Sequence, residues 1–286
     1  MMQTIHKNSG LSSTAIKMIA LACMVLDHIH YFFEFTGAVP VFFSMAGRLA
    51  APLFLFCLAE GFAHTHDRRR YFLRIYLIAA AMSALLYMMA FYGLFVREDG
   101  FYPLNGMMTT CAILLIIWQG FDWLKARRFV RGGLAVFGPL ALPFAAVRLL
   151  ALVPSSSGIP GFLCTTLLPL WGWLSPDASL PVLLAGIFLY PLRSRRGLQA
   201  AVFAAATLLY HVVFVGFMVS RLPGFSPVQM FITYYEWYGV FAVIPMLCYN
   251  GKRGRGYKAL FYAFYPAHIY VLYGLSCLVY GWMPPA

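Results

Sequence analysis

The chain has 286 residues, of which 62% are hydrophobic and only 10% are charged, and its formal net charge is +12. Soluble domains carry about 25% charged residues, so the composition excludes an ordinary soluble protein and indicates a membrane protein. Apolar runs of about 20 residues recur, and each is long enough to cross a ~30 Å hydrocarbon core as a helix. The alternating pattern of a transmembrane barrel is absent from the sequence. The predicted fold class is therefore all-α, a polytopic transmembrane helical bundle.

The apolar runs predict a single membrane domain, residues 1–286, with nine or ten spans. The first run lacks a small-residue cleavage site and continues into Asp27, so we interpret it as a retained helix and not as a signal peptide. The stretch 160–192 holds two shorter apolar pieces, 160–174 and 180–192, and contributes one or two crossings. The other predicted spans are 14–35, 40–63, 75–95, 106–121, 132–152, 198–219, 236–249 and 259–281.

Four basic clusters at span ends predict the orientation, because positively charged loops stay on the cytoplasmic side. The N-terminus is predicted to be cytoplasmic in a multi-pass protein of the cell (plasma or inner) membrane. One crossing within 160–192 keeps all four clusters inside, which favours nine spans. The basic residues are also expected to attract the anionic head groups of lipids in the bilayer. They are scattered over short loops, so nucleic acid is not predicted as a partner.

Ionisable residues at membrane depth are the most informative feature, because each costs roughly 2.5–3.5 kcal/mol to insert. At 1.5 Å per residue, Asp27, His28 and Arg48 all lie about 12–15 Å from the turn that joins the first two spans. Desolvated charges need partners, so an Arg48–Asp27 pair is predicted, with His28 as a titratable group beside it. Gly47 permits close helix approach, and Pro52 loosens the backbone one turn further on. A purely structural ion pair would account for the same residues.

Further polar residues lie in other spans. His268 is about 13–15 Å along the last span from the basic loop before it, and Pro266 removes a helix hydrogen bond just ahead of it. Glu60 either snorkels to the membrane interface or forms the rim of a cofactor site. His211 is a lone histidine on an apolar span and is interpreted as structural.

The segment 250–258, Asn-Gly-Lys-Arg-Gly-Arg-Gly-Tyr-Lys, is the best candidate for binding an anionic cytosolic cofactor. Glycines allow backbone N–H groups to approach phosphates, and Lys and Arg supply charge-assisted hydrogen bonds. It is not a P-loop, because the Gly-Lys-Ser/Thr ending is missing. The six cysteines contain no Cys-x-x-Cys pair, so neither a disulfide nor a metal site is predicted.

Several spaced motifs resemble the TraX family in the right order. The resemblance covers nearly the whole chain and is strongest in 14–75 and 245–275. The matching segments are Lys17-Met18-Ile19-Ala20, Asp27-His28, Gly47-Arg48-Leu49-Ala50-Ala51-Pro52-Leu53-Phe54, Ala59-Glu60-Gly61-Phe62, Tyr249-Asn250-Gly251-Lys252-Arg253-Gly254 and Phe264-Tyr265-Pro266 with His268. The namesake of the family acetylates the N-terminus of conjugative pilin, and the family looks related to membrane acyltransferases that use cytosolic acyl-CoA.

The resemblance implies an acetyl-CoA-dependent acyltransferase whose acceptor is an amine or hydroxyl on a peptide, a glycan or a lipid-linked substrate. The phosphates of acetyl-CoA would meet Asn250, Lys252, Arg253 and Arg255, with Arg68 and Arg69. His28 is the expected general base and His268 is its rival, while Asp27 would orient the imidazole and Arg48 would stabilise the oxyanion. A proton-coupled secondary transporter and a non-catalytic scaffold are the alternatives.

Overall fold

The computed structural model describes residues 10–152, 158–167 and 180–282, and most of these residues are helical. Two 3₁₀ helices, Glu34–Thr36 and Tyr235–Ala242, and a π-helix, Leu209–Val215, interrupt the α-helices. The α-helices are α1 Ser13–Phe33, α2 Phe42–Gly47, α3 Ala50–His64, α4 Arg68–Tyr92, α5 Met107–Lys125, α6 Phe129–Leu150, α7 Gly158–Leu167, α8 Leu180–Ile187, α9 Arg196–Leu208, α10 Gly216–Val219, α11 Gln229–Ile232, α12 Val243–Leu247 and α13 Lys258–Trp282.

Seven helical segments in the described part of the chain are long and apolar enough to cross a membrane, which confirms the all-α, multi-span prediction. They are Ser13–Thr36, Phe42–His64, Arg68–Tyr92, Met107–Lys125, Phe129–Ala146, Arg196–Val219 and Leu260–Trp282. The predicted count of nine or ten spans is not confirmed. The predicted span 236–249 is a 3₁₀ helix followed by the five-residue α12. The stretch 160–192 contains most of α7 and all of α8, which flank residues 168–179 outside the described part.

The chain divides into two compact units. The first unit comprises Met1–Ala63 and Leu184–Phe261, and the second comprises His64–Leu183 and Tyr262–Ala286. In the first unit α1 packs against α2, and α9 packs against α12 and the longer 3₁₀ helix. In the second unit α5 packs against both α4 and α6, and α7 packs against α4. The single domain 1–286 stays a prediction.

Burial differs sharply between helices of similar hydropathy. Within the apolar window of α5, 61% of the residues are buried, whereas in α4 only 22% are buried. A helix that is apolar all round and buried belongs to the interior of a bundle, while an exposed apolar helix surface suits a lipid environment. We therefore assign α5 to the protein interior of the second unit and most of the surface of α4 to lipid.

Candidate functional site

The predicted pair of Arg48 and Asp27 is present in the first unit, with 2.5 Å between Arg48 Nη2 and Asp27 Oδ1. Ser44 completes a triangle with them. Its hydroxyl donates to Asp27 Oδ1 at 2.8 Å and accepts from Arg48 Nη2 at 3.0 Å. Arg48 Nε donates to the backbone carbonyl of Ser44 at 3.1 Å. The guanidinium is thus held in a fixed orientation beside α1.

Local sequence explains why Arg48 is placed there. Pro52 lacks the N–H group that would bond to the carbonyl of Arg48 four residues earlier. The helix accordingly breaks at this point, since α2 ends at Gly47 and α3 begins at Ala50. A Cβ atom on Gly47 would overlap the side chain of Asp27 and lie 2.6 Å from its Oδ1. The absence of a side chain at Gly47 therefore allows α1 to approach close enough for the ion pair.

His28 follows Asp27 on α1 and is held by its own helix. Its Nδ1 lies 2.9 Å from the carbonyl of Met24, and its ring lies near the rings of Tyr31 and Phe32. A carbonyl only accepts hydrogen bonds, so Nδ1 carries the proton and Nε2 carries the lone pair in the neutral ring. The orientation of His28 is therefore fixed through a backbone carbonyl, and the Asp27 oxygen that we describe is used by Arg48 and Ser44.

His268 lies in the second unit, on α13, and repeats this arrangement. Its Nδ1 lies 2.8 Å from the carbonyl of Phe264, and its ring stacks on the ring of Phe264. Helix α13 continues through Pro266 without a break. His268 is buried. Both predicted base residues thus have the same tautomer imposed by an i−4 carbonyl, each within a different unit.

The basic loop 250–257 is attached to the N-terminus of α1 by its backbone. The carbonyls of Lys252 and Arg253 accept from the N–H groups of Ser13 and Thr14 at 2.9 and 3.1 Å. The Thr14 hydroxyl donates to the carbonyls of Arg253 and Arg255. These loop carbonyls cap helix α1, whose first N–H groups lack partners within the helix.

The side chains of this loop face outward. Lys252, Arg253 and Arg255 are all exposed. Asn250 has a structural role, because its amide donates to Gly10 and its oxygen accepts from the N–H of Lys252. An anionic ligand would therefore meet the exposed cationic side chains. The backbone N–H of Lys252 already donates to Asn250.

The two arginines predicted to join this loop lie in the second unit and differ from each other. Arg68 Nη1 donates to Asp122 at 2.6 Å and to Gln119 at 3.1 Å, which ties the start of α4 to α5. Arg69 is exposed. Arg69 is accessible to a ligand, whereas Nη1 of Arg68 is already used in hydrogen bonds that hold α4 against α5.

One interpretation of the sequence was that Glu60 snorkels to the membrane interface, and the structure contradicts it. Glu60 is buried and pairs with Arg196 Nη2 at 2.7 Å within the first unit. The Arg196 guanidinium lies 5.0 Å from the ring centroids of both Phe56 and Tyr249. The residue that pairs with Glu60 is distant in sequence, so helix periodicity alone gave no sign of the pair.

Four residues near Arg48 were missed as site candidates. Ser44 lies four positions before Arg48 on the same helical face, a spacing that could have revealed it. Tyr235 has its ring centroid 5.8 Å from the Arg48 guanidinium. Glu236 and His211 interact electrostatically with Arg48. Glu236 could have been suspected as an acid at the edge of an apolar run, but its electrostatic interaction with Arg48 arises only in the tertiary structure.

Comparison with known proteins agrees with the motif resemblance. A model of the TraX protein family matches residues 12–276. The probable fimbrial assembly protein FimC, serogroup H1, of Dichelobacter nodosus is 26% identical over 272 residues, which cover 93% of this chain and 96% of that protein. No solved structure matches the chain. Because the family model spans most of the sequence, this membrane protein belongs to the TraX family.

Proposed function

We propose that this protein is an integral-membrane acyltransferase that moves an acetyl group from cytosolic acetyl-CoA to an amine or hydroxyl acceptor. It would act in the inner membrane with its N-terminus in the cytoplasm. The proposed site comprises Asp27, His28 and Arg48, with His268 as the alternative base. Family membership supports the class of reaction, and the bonding of Arg48 supports the site.

The observation that carries the proposal is the state of the Arg48 guanidinium. Its hydrogen bonds to described residues come from Nε and Nη2 alone, so the two N–H groups of Nη1 remain for a ligand. Asp27 and Ser44 fix the orientation of the group before any substrate binds. Preorganised donors of this kind stabilise a developing oxyanion more effectively than mobile ones.

The chemistry then follows from the residues. An ammonium acceptor first loses one proton to Nε2 of His28, and the neutral amine then attacks the thioester carbonyl. A hydroxyl acceptor loses its proton to Nε2 as it attacks. Arg48 Nη1 donates to the carbonyl oxygen as it gains negative charge. The C–S bond breaks, and the thiolate leaves as CoA with a proton taken from the amine nitrogen or, for a hydroxyl acceptor, from His28. Asp27 holds Arg48 in place, which makes it a positioning residue in this scheme.

The cationic loop is the proposed docking surface for the phosphates of acetyl-CoA. Lys252, Arg253 and Arg255 are exposed, and Lys and Arg form strong charge-assisted hydrogen bonds with phosphate. The loop caps the start of α1, and Asp27 lies about 20 Å further along the same helix. A long flexible arm that ends in a thioester would connect two such points.

The acceptor is proposed to be a pilin-type peptide. The D. nodosus relative is described as a probable fimbrial assembly protein, and the family namesake modifies a pilin N-terminus. A glycan or a lipid-linked acceptor would use the same acyl-transfer chemistry and is the alternative acceptor class.

The first test is isothermal titration of the purified full-length protein with acetyl-CoA and with CoA. We expect both to bind, and we expect K252A/R253A to lose most of the affinity because two phosphate contacts are removed. The matched control is R128A/R131A, which removes two exposed cations from the start of α6. Equal losses in both variants would contradict a specific role for the 250–257 loop.

Turnover is tested separately by the release of CoA thiol in the presence of a peptide with a free amino terminus. Absence of acetyl-CoA binding by a folded protein would reject the acyltransferase. A proton-coupled transporter would then be the leading function, because the break between α2 and α3 at Arg48 resembles the discontinuous helices of transporters. Uptake assays in vesicles would test that function.

A further inference from the structure

Two irregular helices of the first unit meet near Arg48. The π-helix Leu209–Val215 contains neither glycine nor proline, and π-helices are rare and frequent at functional sites. The 3₁₀ helix Tyr235–Ala242 has eight residues, whereas 3₁₀ runs longer than three or four residues are uncommon. The two helices pack against each other, and the 3₁₀ helix also packs against α2.

Gly239 shows which face of the 3₁₀ helix is turned to Arg48. A Cβ atom on Gly239 would lie 3.2 Å from the carbonyl oxygen of Arg48 and 3.6 Å from the ring of Pro52. The backbone of the 3₁₀ helix therefore covers the point where α2 and α3 separate. The carbonyl that Pro52 leaves without its helical partner lies under this glycine.

Glu236 lies on the same face as Gly239. Residues three apart are eclipsed in a 3₁₀ helix, so Glu236 is directed to the side on which Gly239 meets Arg48. The electrostatic interaction between Glu236 and Arg48 agrees with this placement. The side chain of Glu236 is also exposed, so a ligand can reach it.

The π-helix contributes His211 to the same neighbourhood. His211 is half-buried, lies beside Tyr210 at 5.1 Å between ring centroids, and interacts electrostatically with Arg48. With Tyr235 on the 3₁₀ helix, whose ring centroid lies 5.8 Å from the Arg48 guanidinium, two rings and one carboxylate lie in the neighbourhood of a guanidinium held by Asp27. Below, the three residues His211, Tyr235 and Glu236 are together called the Glu236 wall.

We propose that the Glu236 wall binds the acceptor, and that Glu236 determines specificity by selecting an acceptor group that carries positive charge. This inference rests on the proposed acyltransferase function and adds the residues that choose the acceptor. Asp27 and Glu236 supply two negative charges and Arg48 supplies one positive charge. The cluster therefore has an excess negative charge, which an ammonium group neutralises and a hydroxyl group does not.

Binding of two matched probe peptides tests the inference without requiring turnover. One probe is a short apolar peptide with a free α-amino group, which is largely protonated at pH 7. The other carries a hydroxyl in place of that amino group, and both have a fluorophore at the C-terminus. Fluorescence anisotropy is measured with the wild-type protein, with E236Q, with E236D and with E98Q, whose carboxylate is exposed in a loop of the second unit.

We expect the wild-type protein and E98Q to prefer the amino peptide. We expect E236Q to bind the amino peptide about tenfold or more weakly, the size of a lost charged hydrogen bond, with little change for the hydroxy peptide. E236D should keep the preference because it keeps the charge, which separates a charge effect from a folding defect. Acetyl-CoA binding should be the same in the wild-type protein and in E98Q.

Three results would overturn the inference: a wild-type protein without preference for the amino peptide, a wild-type protein that binds neither probe, or an E236Q protein that retains the full preference. The proposed function fails by a different result, namely a wild-type protein that binds the amino peptide but not acetyl-CoA. The two failures are therefore distinguishable in the same set of titrations.

Discussion

Arg48 with Asp27 in the first unit and Arg97 with Asp99 in the second are the same chemical pair, but the two guanidinium groups are bonded differently. Arg97 binds Asp99 through both Nε and Nη2, at 2.9 and 2.7 Å, and its Nη1 donates to Ser276. Arg48 contacts Asp27 through Nη2 alone. The Arg97 side chain is 5% exposed, whereas the Arg48 side chain is 29% exposed.

The surroundings of Arg97 complete the contrast. Its guanidinium lies 4.3 Å from the ring centroid of Phe101 and 5.0 Å from that of Tyr280, so the loop after α4 is clamped onto α13. The Tyr273 hydroxyl strengthens the clamp by donating to the carbonyls of Phe95 and Phe101. An arginine whose donors and faces are used in this way stabilises the fold. An arginine that is oriented yet keeps donors for a ligand is a candidate for chemistry.

The largest expected effect concerns His28 in the first unit and His268 in the second unit. H28A should lower kcat for acetyl transfer by about 100-fold or more, because a general base contributes that much. H268A should have a smaller effect if the base lies beside Arg48. The measurement is CoA release from membranes that contain equal amounts of each variant. A larger loss in H268A would move the base to the second unit, and full activity in both variants would reject acid–base roles for both.

The next prediction exchanges the two arginines for lysine. R48K should lower kcat by about 100-fold, since lysine keeps the charge but loses the planar fork that holds Asp27, Ser44 and a developing oxyanion together. R97K should lower the melting temperature and leave kcat of the folded fraction nearly unchanged. Thermal unfolding and CoA release are measured on both proteins. The contrast between the two pairs would be wrong if R97K lost activity and R48K lost only stability.

A smaller effect is expected from filling the close approach of α1 and α2. G47A should destabilise the protein by about 1–3 kcal/mol, the usual cost of overpacking, because the added Cβ overlaps Asp27. It should also lower activity by displacing the carboxylate that orients Arg48. G138A is the control, since nothing lies within 4 Å of a Cβ at that helical position. Denaturation of both variants is the measurement, and equal stability would contradict the tight contact.

The smallest effect is the pH dependence of the Arg97 clamp. The hydrogen bonds from Arg97 lower the pKa of Asp99, since they favour its ionised form. A lowered pKa means that Asp99 contributes stability above its unfolded pKa and loses it as the pH falls through the folded value. The melting temperature of the wild-type protein should exceed that of D99N at neutral pH, and the difference should shrink below about pH 4. A difference that grew on acidification would contradict this sign.

Helix geometry explains how much of the site could be predicted. The depth of Asp27 and Arg48 follows from 1.5 Å per residue and a short turn, and their pairing follows from the cost of unpaired charge. Pro52 was informative because its effect acts within one helical turn, and Gly47 was informative because a residue without a side chain permits close approach of the neighbouring helix. Ser44 could have been added by i, i+4 spacing. These features depend only on residues close in sequence.

Long-range contacts explain what was missed. Glu60 was interpreted as an interface residue or the rim of a cofactor site because its partner, Arg196, comes from a distant helix. The loop 250–257 was expected to offer backbone N–H groups to phosphates, but several of its carbonyls cap α1. The predicted span 236–249 became a 3₁₀ helix that packs on α2. These long-range contacts leave no trace in the local pattern of apolar residues, and the predictions were made from that pattern.

The sequence by itself determined that this is a multi-span helical membrane protein, that Arg48 pairs with Asp27, and which histidines fall within apolar spans, because apolar run length and helical rise are local properties. The tertiary structure alone decided which donors of Arg48 remain for a ligand, and which residues between 211 and 236 lie in the neighbourhood of its guanidinium. Hydrogen-bond saturation depends on every neighbour of a side chain. The neighbours of Arg48 come from α1, the π-helix and the 3₁₀ helix, which only folding brings together.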